Sequence, residues 1–213
     1  MKILYIVFLI SIYSQLINAF EITIKYRDGS SKIEQYDESI EKLSFIYGRG
    51  RNIVDIAGLE QFKNLKELWL GMTSQINNYS FLKHLDNIEI LVFQDINFKN
   101  IDFLYDMVSL RKLIFQSCRI VGKIDASRLP HLEYFEFTNS SLTEFPIKIC
   151  NQNKLDIINV AFNNIHNIPN VEYLKVLILA VSNPININNK NVITGDVNDY
   201  FFLVPEKYRQ YIR

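Results

Sequence analysis

The sequence predicts an α/β repeat solenoid: a curved stack of short strands in one parallel concave sheet, joined by short 3₁₀ or irregular convex limbs. Three observations predict it. A pattern L-x-x-L-x-L-x-x-N/C-x-L returns along the chain. Its copies start 22 or 23 residues apart from Leu65 to Leu155. The pattern degrades toward both ends, where a solenoid needs capping units.

The first element is a leader. Met1 and Lys2 precede Ile3 to Tyr13, an apolar run of eleven residues broken only by Ser11, and a small residue, Ala19, closes the segment. One positive charge, a short apolar stretch and a small terminal residue read as a secretory signal peptide over residues 1–19, with cleavage before Phe20. The run is shorter than the roughly 20 apolar residues of a spanning helix. The alternative is an uncleaved N-terminal anchor. Residues 20–39 read as an N-terminal cap. Glu21 to Tyr26 alternates like a strand, Arg27-Asp28-Gly29-Ser30 is a turn, and Lys32 to Tyr36 is the returning strand of a β-hairpin.

The repeats occupy residues 40–185. The best copies are Leu110, Leu113, Phe115, Cys118, Ile120 and Leu155, Ile158, Val160, Asn163, Ile165. Leu132, Phe135, Phe137, Ser140, Leu142 form another, and Ile88, Leu91, Phe93, Ile96, Phe98 a fourth. Leu65, Leu68, Leu70, Thr73 fade early; Ile40, Leu43, Phe45, Gly48 open the array; Leu174, Leu177, Leu179, Ser182 close it. Residues 186–213 read as a C-terminal helical cap, with Pro205 in the first turn of a short helix and Tyr200 to Leu203 over the last repeat.

On these residues the chain resembles the leucine-rich-repeat family, over about Ile40 to Ile185. The 22-residue spacing and the stretch Phe98 to Met107 look like the short, internalin-like bacterial subclass, and Leu142-Thr143-Glu144-Phe145-Pro146 and Ile165-His166-Asn167-Ile168-Pro169 resemble its Pro-containing variants. The resemblance implies a horseshoe and, in a host-associated bacterium, a role in adhesion or surface interaction.

The pattern itself places side chains. Alternation in L-x-L makes a strand whose leucines point inward. No repeat buries its own apolar side; stacked neighbours do it for one another through parallel pairing. The outward residues then form columns across the concave sheet. One reads Ser44, Trp69, Val92, Ile114, Glu136, Asn159, Ile178; the other reads Lys42, Glu67, Ile90, Lys112, Tyr134, Ile157, Val176. Aliphatic and aromatic residues crowd these columns, and the single Trp of the chain lies among them. Such a patch marks an interaction surface, with Trp and Tyr as favoured anchors. The bland alternatives are strand propensity alone, or burial by a cap or a second copy. The candidate partner-binding residues are Trp69, Ile90, Val92, Lys112, Ile114, Tyr134, Glu136 and Ile157. Cys118 lies just past one strand and Cys150 in the next return limb, too far apart across the section for a disulfide, so two separate buried thiols are expected.

Catalytic chemistry finds no footing. His84, His131 and His166 sit in three different repeats without metal-ligand spacing, Gly48-Arg49-Gly50-Arg51 is a basic turn rather than a phosphate loop, and no G-x-S-x-G occurs. With 23 basic and 23 acidic residues the net charge is zero, which argues against nucleic acid as partner. Sequons stand at Asn78 and Asn139. The expectation is therefore an exported binding protein, secreted, periplasmic or at the cell surface. It has no enzymatic activity, cofactor, metal or membrane span after cleavage, and it recognises a protein through its concave face. A glycan or small-ligand binder, or a self-associating structural protein, is the alternative.

Overall fold

The array forms because each strand has one apolar face that only a neighbouring repeat can cover. In the computed structural model, residues 19–46, 53–73, 76, 79–150, 154–169, 175–185 and 191–195 are described. The signal segment before Ala19, the basic turn at Gly48 to Arg51, the sequon at Asn78 and the helical cap beyond Gly195 fall outside them. The strands are β1 (Ala19–Tyr26), β2 (Ser31–Asp37), β3 (Lys42–Ile46), β4 (Ile53–Ala57), β5 (Glu67–Gly71), β6 (Ile90–Gln94) and β7 (Lys112–Gln116). They continue with β8 (Ile124–Asp125), β9 (Tyr134–Thr138), β10 (Ile147–Lys148), β11 (Ile157–Asn159), β12 (Leu177–Leu179) and β13 (Val192–Ile193).

Eight strands form one parallel sheet in the order β13-β12-β11-β9-β7-β6-β5-β3. With the return limbs stacked behind it, this is a leucine-rich-repeat horseshoe. The limbs carry 3₁₀ turns at Leu59–Gln61, Ser80–His84, Asp102–Asp106 and Ala126–Arg128, each planting one buried residue (Leu59, Leu82, Leu104, Ala126) behind the sheet. Repeats of 22 residues leave no length for a full helix there. Later limbs turn extended, and β8 pairs with β10 in a second, two-stranded parallel sheet.

Between sheet and limbs lies one apolar core. Its centre is a file of rings: Phe93 stacks on Phe115 at 5.3 Å, and Phe115 on Phe137 at 4.8 Å. The file runs on through Val160 to Ala180, all fully buried. As these side chains shrink, the residue three positions further on becomes Asn. Asn163 Nδ2 donates to the carbonyls of Phe137, Val160 and Ala161, while its Oδ1 accepts from the amides of Ser140 and Leu142. Asn183 repeats the carbonyl contacts one repeat on, donating to Val160, Ala180 and Val181. In the middle of the array Ser140 and Cys118 do less of the same work: Ser140 Oγ donates to Thr138 and accepts from the Cys118 amide.

Just past β5, β6, β7, β9, β11 and β12 one residue turns left-handed: Met72, Asp95, Ser117, Asn139, Phe162 and Ser182, all with φ between 54° and 58°. Their amides donate to the next repeat, to the carbonyls of Gln94, Gln116, Thr138, Ala161, Val181 and Gly195 respectively. None is glycine, so each repeat carries some backbone strain, held by the ladder.

Two features at the carboxy-terminal end of the array differ from the sequence reading. The closing repeat is Lys175, Ile178, Ala180, Asn183, one residue later than Leu174, Leu177, Leu179, Ser182, as the pairing of Ile158 with Ile178 requires. Ile178 and Val176 are core, 0% and 3% exposed, and Leu177 and Leu179 take the concave columns instead. Residues 174–181 are apolar on both faces of the strand, so alternation alone has no preferred register there. The polar residue decides it, because only Asn183 reproduces the bonds of Asn163. Second, β13 lies within residues 186–213, the segment expected to form a helical cap, and extends the sheet beside β12.

At the N-terminus β1 and β2 form an antiparallel hairpin, Ala19 opposite Asp37 through Lys25 opposite Ser31. A strand not anticipated, β4, pairs antiparallel with the other edge of β1. Ile22, Ile24 and Tyr26 of β1 are buried in the same core as the repeats. Gly58, with φ 95°, follows β4; a Cβ there would lie 2.3 Å from the Glu21 carbonyl oxygen. Only glycine permits that approach.

Candidate functional site

Parallel pairing without bulges lays the concave side chains in straight rows. Glu67, Ile90, Lys112, Tyr134 and Ile157 are aligned across β5, β6, β7, β9 and β11, and Trp69, Val92, Ile114, Glu136 and Asn159 form the adjacent row. Neighbouring members are therefore about 4.8 Å apart. All eight candidate residues fall on this one surface, but not equally open to it. Trp69, Ile90, Lys112 and Ile114 are half-buried. Val92, Tyr134, Glu136 and Ile157 are buried, at 1%, 2%, 8% and 1% exposure. The accessible surface is thus the N-terminal half of the sheet.

That half centres on Trp69. Its indole Nε1 donates to the Glu67 carboxylate, and Lys42 places its ammonium 4.9 Å from the ring centroid. Lys42 and Glu67 are themselves paired at 2.8 Å. The cation over the π face and the carboxylate at the indole edge hold the ring in one orientation. A side chain fixed before binding loses little entropy when it binds. Two residues on, Gly71 lets the Ile46 side chain lie against the strand; an added Cβ would meet Ile46 Cγ1 at 3.0 Å. Ile46, 40% exposed, borders Trp69 with an open apolar edge. Val92 fills the gap between Trp69 and Ile114.

The C-terminal half is closed by its own contacts. Tyr134, Ile157 and Leu179 form a second apolar cluster on the concave side, with Ile114, Leu177 and Ile193 packed against it. Beside it Glu136 accepts four hydrogen bonds: Tyr134 Oη at 2.6 Å, Thr138 Oγ1 at 3.0 Å, and the amides of Gln116 and Asn159 at 3.2 Å each. A carboxylate has about four acceptor positions, and these donors occupy them. Glu136 is therefore an anchor for its neighbours, and an incoming cation would have to displace a bond to reach it. Gln116 and Thr138 were missing from the sequence-based candidates. They stand two residues beyond the predicted columns on their strands, on the same face by the two-residue period, which was the signal available.

Elsewhere the titratable groups are dispersed. His84, His131 and His166 are exposed in separate repeats; His131 Nδ1 lies 3.3 Å from Lys154 Nζ. Among the described residues no three His, Cys, Asp or Glu side chains converge as metal ligands, and no helix is long and apolar enough to cross a membrane. Cys118 and Cys150 are both free thiols, Cys118 buried as expected and Cys150, contrary to expectation, only half-buried. Burial pushes the Cys118 thiol up to about 12, against the pull of its backbone hydrogen bonds. On the convex side a cleft floored by Tyr79, Phe98 and Phe103 carries Lys83, Lys99 and Arg128 together with Asp102 and Asp106, without a preferred sign of charge.

Neither a protein-family model nor a curated protein matches the chain. Among solved structures it is similar to an internalin (inlF) of Listeria monocytogenes str. 4b F2365, with 20% identity and a TM-score of 0.45. The match covers 77% of this chain and 59% of that one, so the chain spans well under two thirds of that protein's length. An internalin C2 (inlC2) of the same strain matches with 16% identity and a TM-score of 0.48, over 76% of this chain and 84% of that one.

Proposed function

We propose that this chain is an exported, non-catalytic binding protein that takes a protein partner on the N-terminal half of its concave sheet. The observation that carries the reading is Trp69: a large aromatic side chain, half-buried and held by Lys42 and Glu67, between the apolar side chains of Ile46, Ile90 and Ile114. Interfaces draw most of their energy from a few such pre-ordered aromatic anchors set in apolar surroundings. Lys112, beside Ile90 and Ile114, gives the patch a polar rim. The buried Val92, Tyr134, Glu136 and Ile157 serve by keeping the sheet rigid beneath the patch. Catalysis is not part of the proposal, because among the described residues no nucleophile, base and orienting group meet on this face. Export rests on the charge, the apolar run and the small residue of segment 1–19. It places the protein outside the cytoplasm: secreted, periplasmic or on the cell surface.

The test is capture by the full chain from surface and secreted fractions of the source organism and of any host. Three variants run beside it: Trp69→Ala, Ile114→Ala, and Val121→Ala, the last at a residue outside the eight-stranded sheet that is 73% exposed. The expected result is a protein retained by the wild type and Val121→Ala and lost with Trp69→Ala and Ile114→Ala, all four having the same far-ultraviolet dichroism. Equal retention by all four would remove the concave face from consideration. A polar, aromatic-lined groove suited to a glycan is not what the aliphatic neighbours of Trp69 provide, so a glycan retained by Trp69 would also count against the proposal.

A further inference from the structure

We propose that the outer edge of the hairpin is a second interaction surface, at which β2 pairs with β2 of a second copy of this chain. Among the described residues β2 has a neighbour on one side only: the sheet order is β2-β1-β4. Tyr26 and Ser30 form a hydrogen-bonded pair at the turn. Counting along the register from there, Lys32, Glu34 and Tyr36 direct their backbone groups to β1, and Ser31, Ile33 and Gln35 direct theirs to the free edge. Those three residues are exposed, Ile33 at 60%.

Edge strands are ordinarily guarded by proline, a bulge or charged side chains. β2 has neither proline nor a register shift against β1; the shift in this sheet lies between Lys25 and Tyr26, against β4. Its charges discriminate among registers. For two copies pairing antiparallel about a two-fold axis, the outward groups must meet each other. An axis at Lys32 sets lysine against lysine, and one at Glu34 sets glutamate against glutamate. An axis at Gln35 sets Ile33 against Asp37. Only with Ile33 on the axis does Lys32 of each copy oppose Glu34 of the other, while Ser31 faces Gln35 and Ile33 covers Ile33. This register uses the N–H and C=O of all three outward residues, giving six inter-chain hydrogen bonds by the same parity. Lys32 and Glu34 pair within the chain at 2.5 Å, so the two charges already lie together on this strand and would exchange partners across the axis. The surface is separate from the concave patch, and either assignment stands or falls without the other.

Cross-linking and charge reversal test it on the full chain in a Cys150→Ser background. In an antiparallel hydrogen-bonded pair the two Cα atoms on the axis lie about 5.5 Å apart, within disulfide range. Under mild oxidation Ile33→Cys is expected to give a covalent dimer at least about tenfold faster than Val121→Cys, which is more accessible but off the edge. Lys32→Glu alone and Glu34→Lys alone should each weaken self-association about tenfold in sedimentation, by setting like charges opposite one another. Mixing the two single variants, or combining both changes in one chain, should restore it. Equal oxidation rates for Ile33→Cys and Val121→Cys would overturn the proposal, as would single variants that associate like the wild type.

Discussion

Leu113 and Cys118 show how much a single position in this array carries. Leu113 is fully buried between Leu91 and Phe135 on the adjoining strands. Truncation removes a core side chain where the neighbouring rings have no room to collapse, so Leu113→Ala is expected to cost about 2–5 kcal/mol in a urea titration. Ile114→Ala, one residue on and half-buried on the opposite face, should cost far less; similar losses would mean the strand is read in the wrong register. Cys118 occupies the place of Asn163 in its own repeat, and its thiol donates to the carbonyls of Phe93 and Gln116. Burial favours the neutral thiol, so the folded form holds its proton to about 12 whereas an exposed thiol releases it near 9.0. The folded state therefore loses stability relative to the unfolded as pH rises through that interval. Cys118→Ser should flatten this alkaline loss when the two proteins are compared from pH 8 to 11 by thermal melting. At pH 8 a thiol reagent should modify Cys118 only after unfolding, and unfolded, unreduced protein should then show both Cys118 and Cys150 free.

The elements depend on a few contacts between them. β1 joins the hairpin to the array through β4, and the turn after β4 brings Gly58 against the Glu21 carbonyl. Gln61 reinforces the same corner, its Nε2 donating to the carbonyls of Glu21 and Gly58. Gly58→Ala places a methyl group inside contact distance of backbone and imposes a left-handed φ on alanine, an expected cost of about 2–3 kcal/mol. Hydrogen exchange should show that loss first in β1 and β4; unchanged protection there would mean that β4 does not hold the hairpin. On the concave side the elements divide the surface. β5 and β6 leave Trp69 and Ile90 half-open to solvent, whereas β9 and β11 tie Tyr134, Glu136 and Asn159 to one another.

As a whole molecule the chain is one continuous core from Ile22 to Val192, with no break in the packing among the described residues. Stacked repeats of this kind couple to their nearest neighbours, and a short array passes a local loss along its length. Trp69, on the second strand from the amino-terminal end of the eight-stranded sheet's order and the single Trp of the chain, reports on that end by fluorescence, while far-ultraviolet dichroism averages over all strands. In Leu113→Ala both signals are expected to shift to the same lower urea midpoint. Separate midpoints would divide the array into independent units between β5 and β7.

What was legible in the sequence, and what was not, follows from the range of the interactions. Repeat spacing and inward leucines depend on a strand's own period, so Leu68, Leu91, Leu113, Phe135 and Ile158 declared their faces without any partner in view, and the horseshoe with its concave rows from Lys42 to Ile157 followed. The last repeat escaped because its residues are apolar on both faces; Asn183 held the information, but its value lies in carbonyls of the preceding repeat. β4 and β13 fall outside the repeat pattern, and each is a strand only because β1 or β12 supplies its hydrogen bonds. Tertiary structure alone decided which concave residues remain reachable. Trp69 and Tyr134 are alike in the sequence as aromatic members of outward columns, yet Lys42 and Glu67 hold one at a half-open surface, and Glu136, Ile157 and Leu179 bury the other. A linear pattern states which way a side chain points; how far it is covered depends on the bulk and bonding of neighbours 20 or more residues away in the chain, which meet it only when the repeats stack.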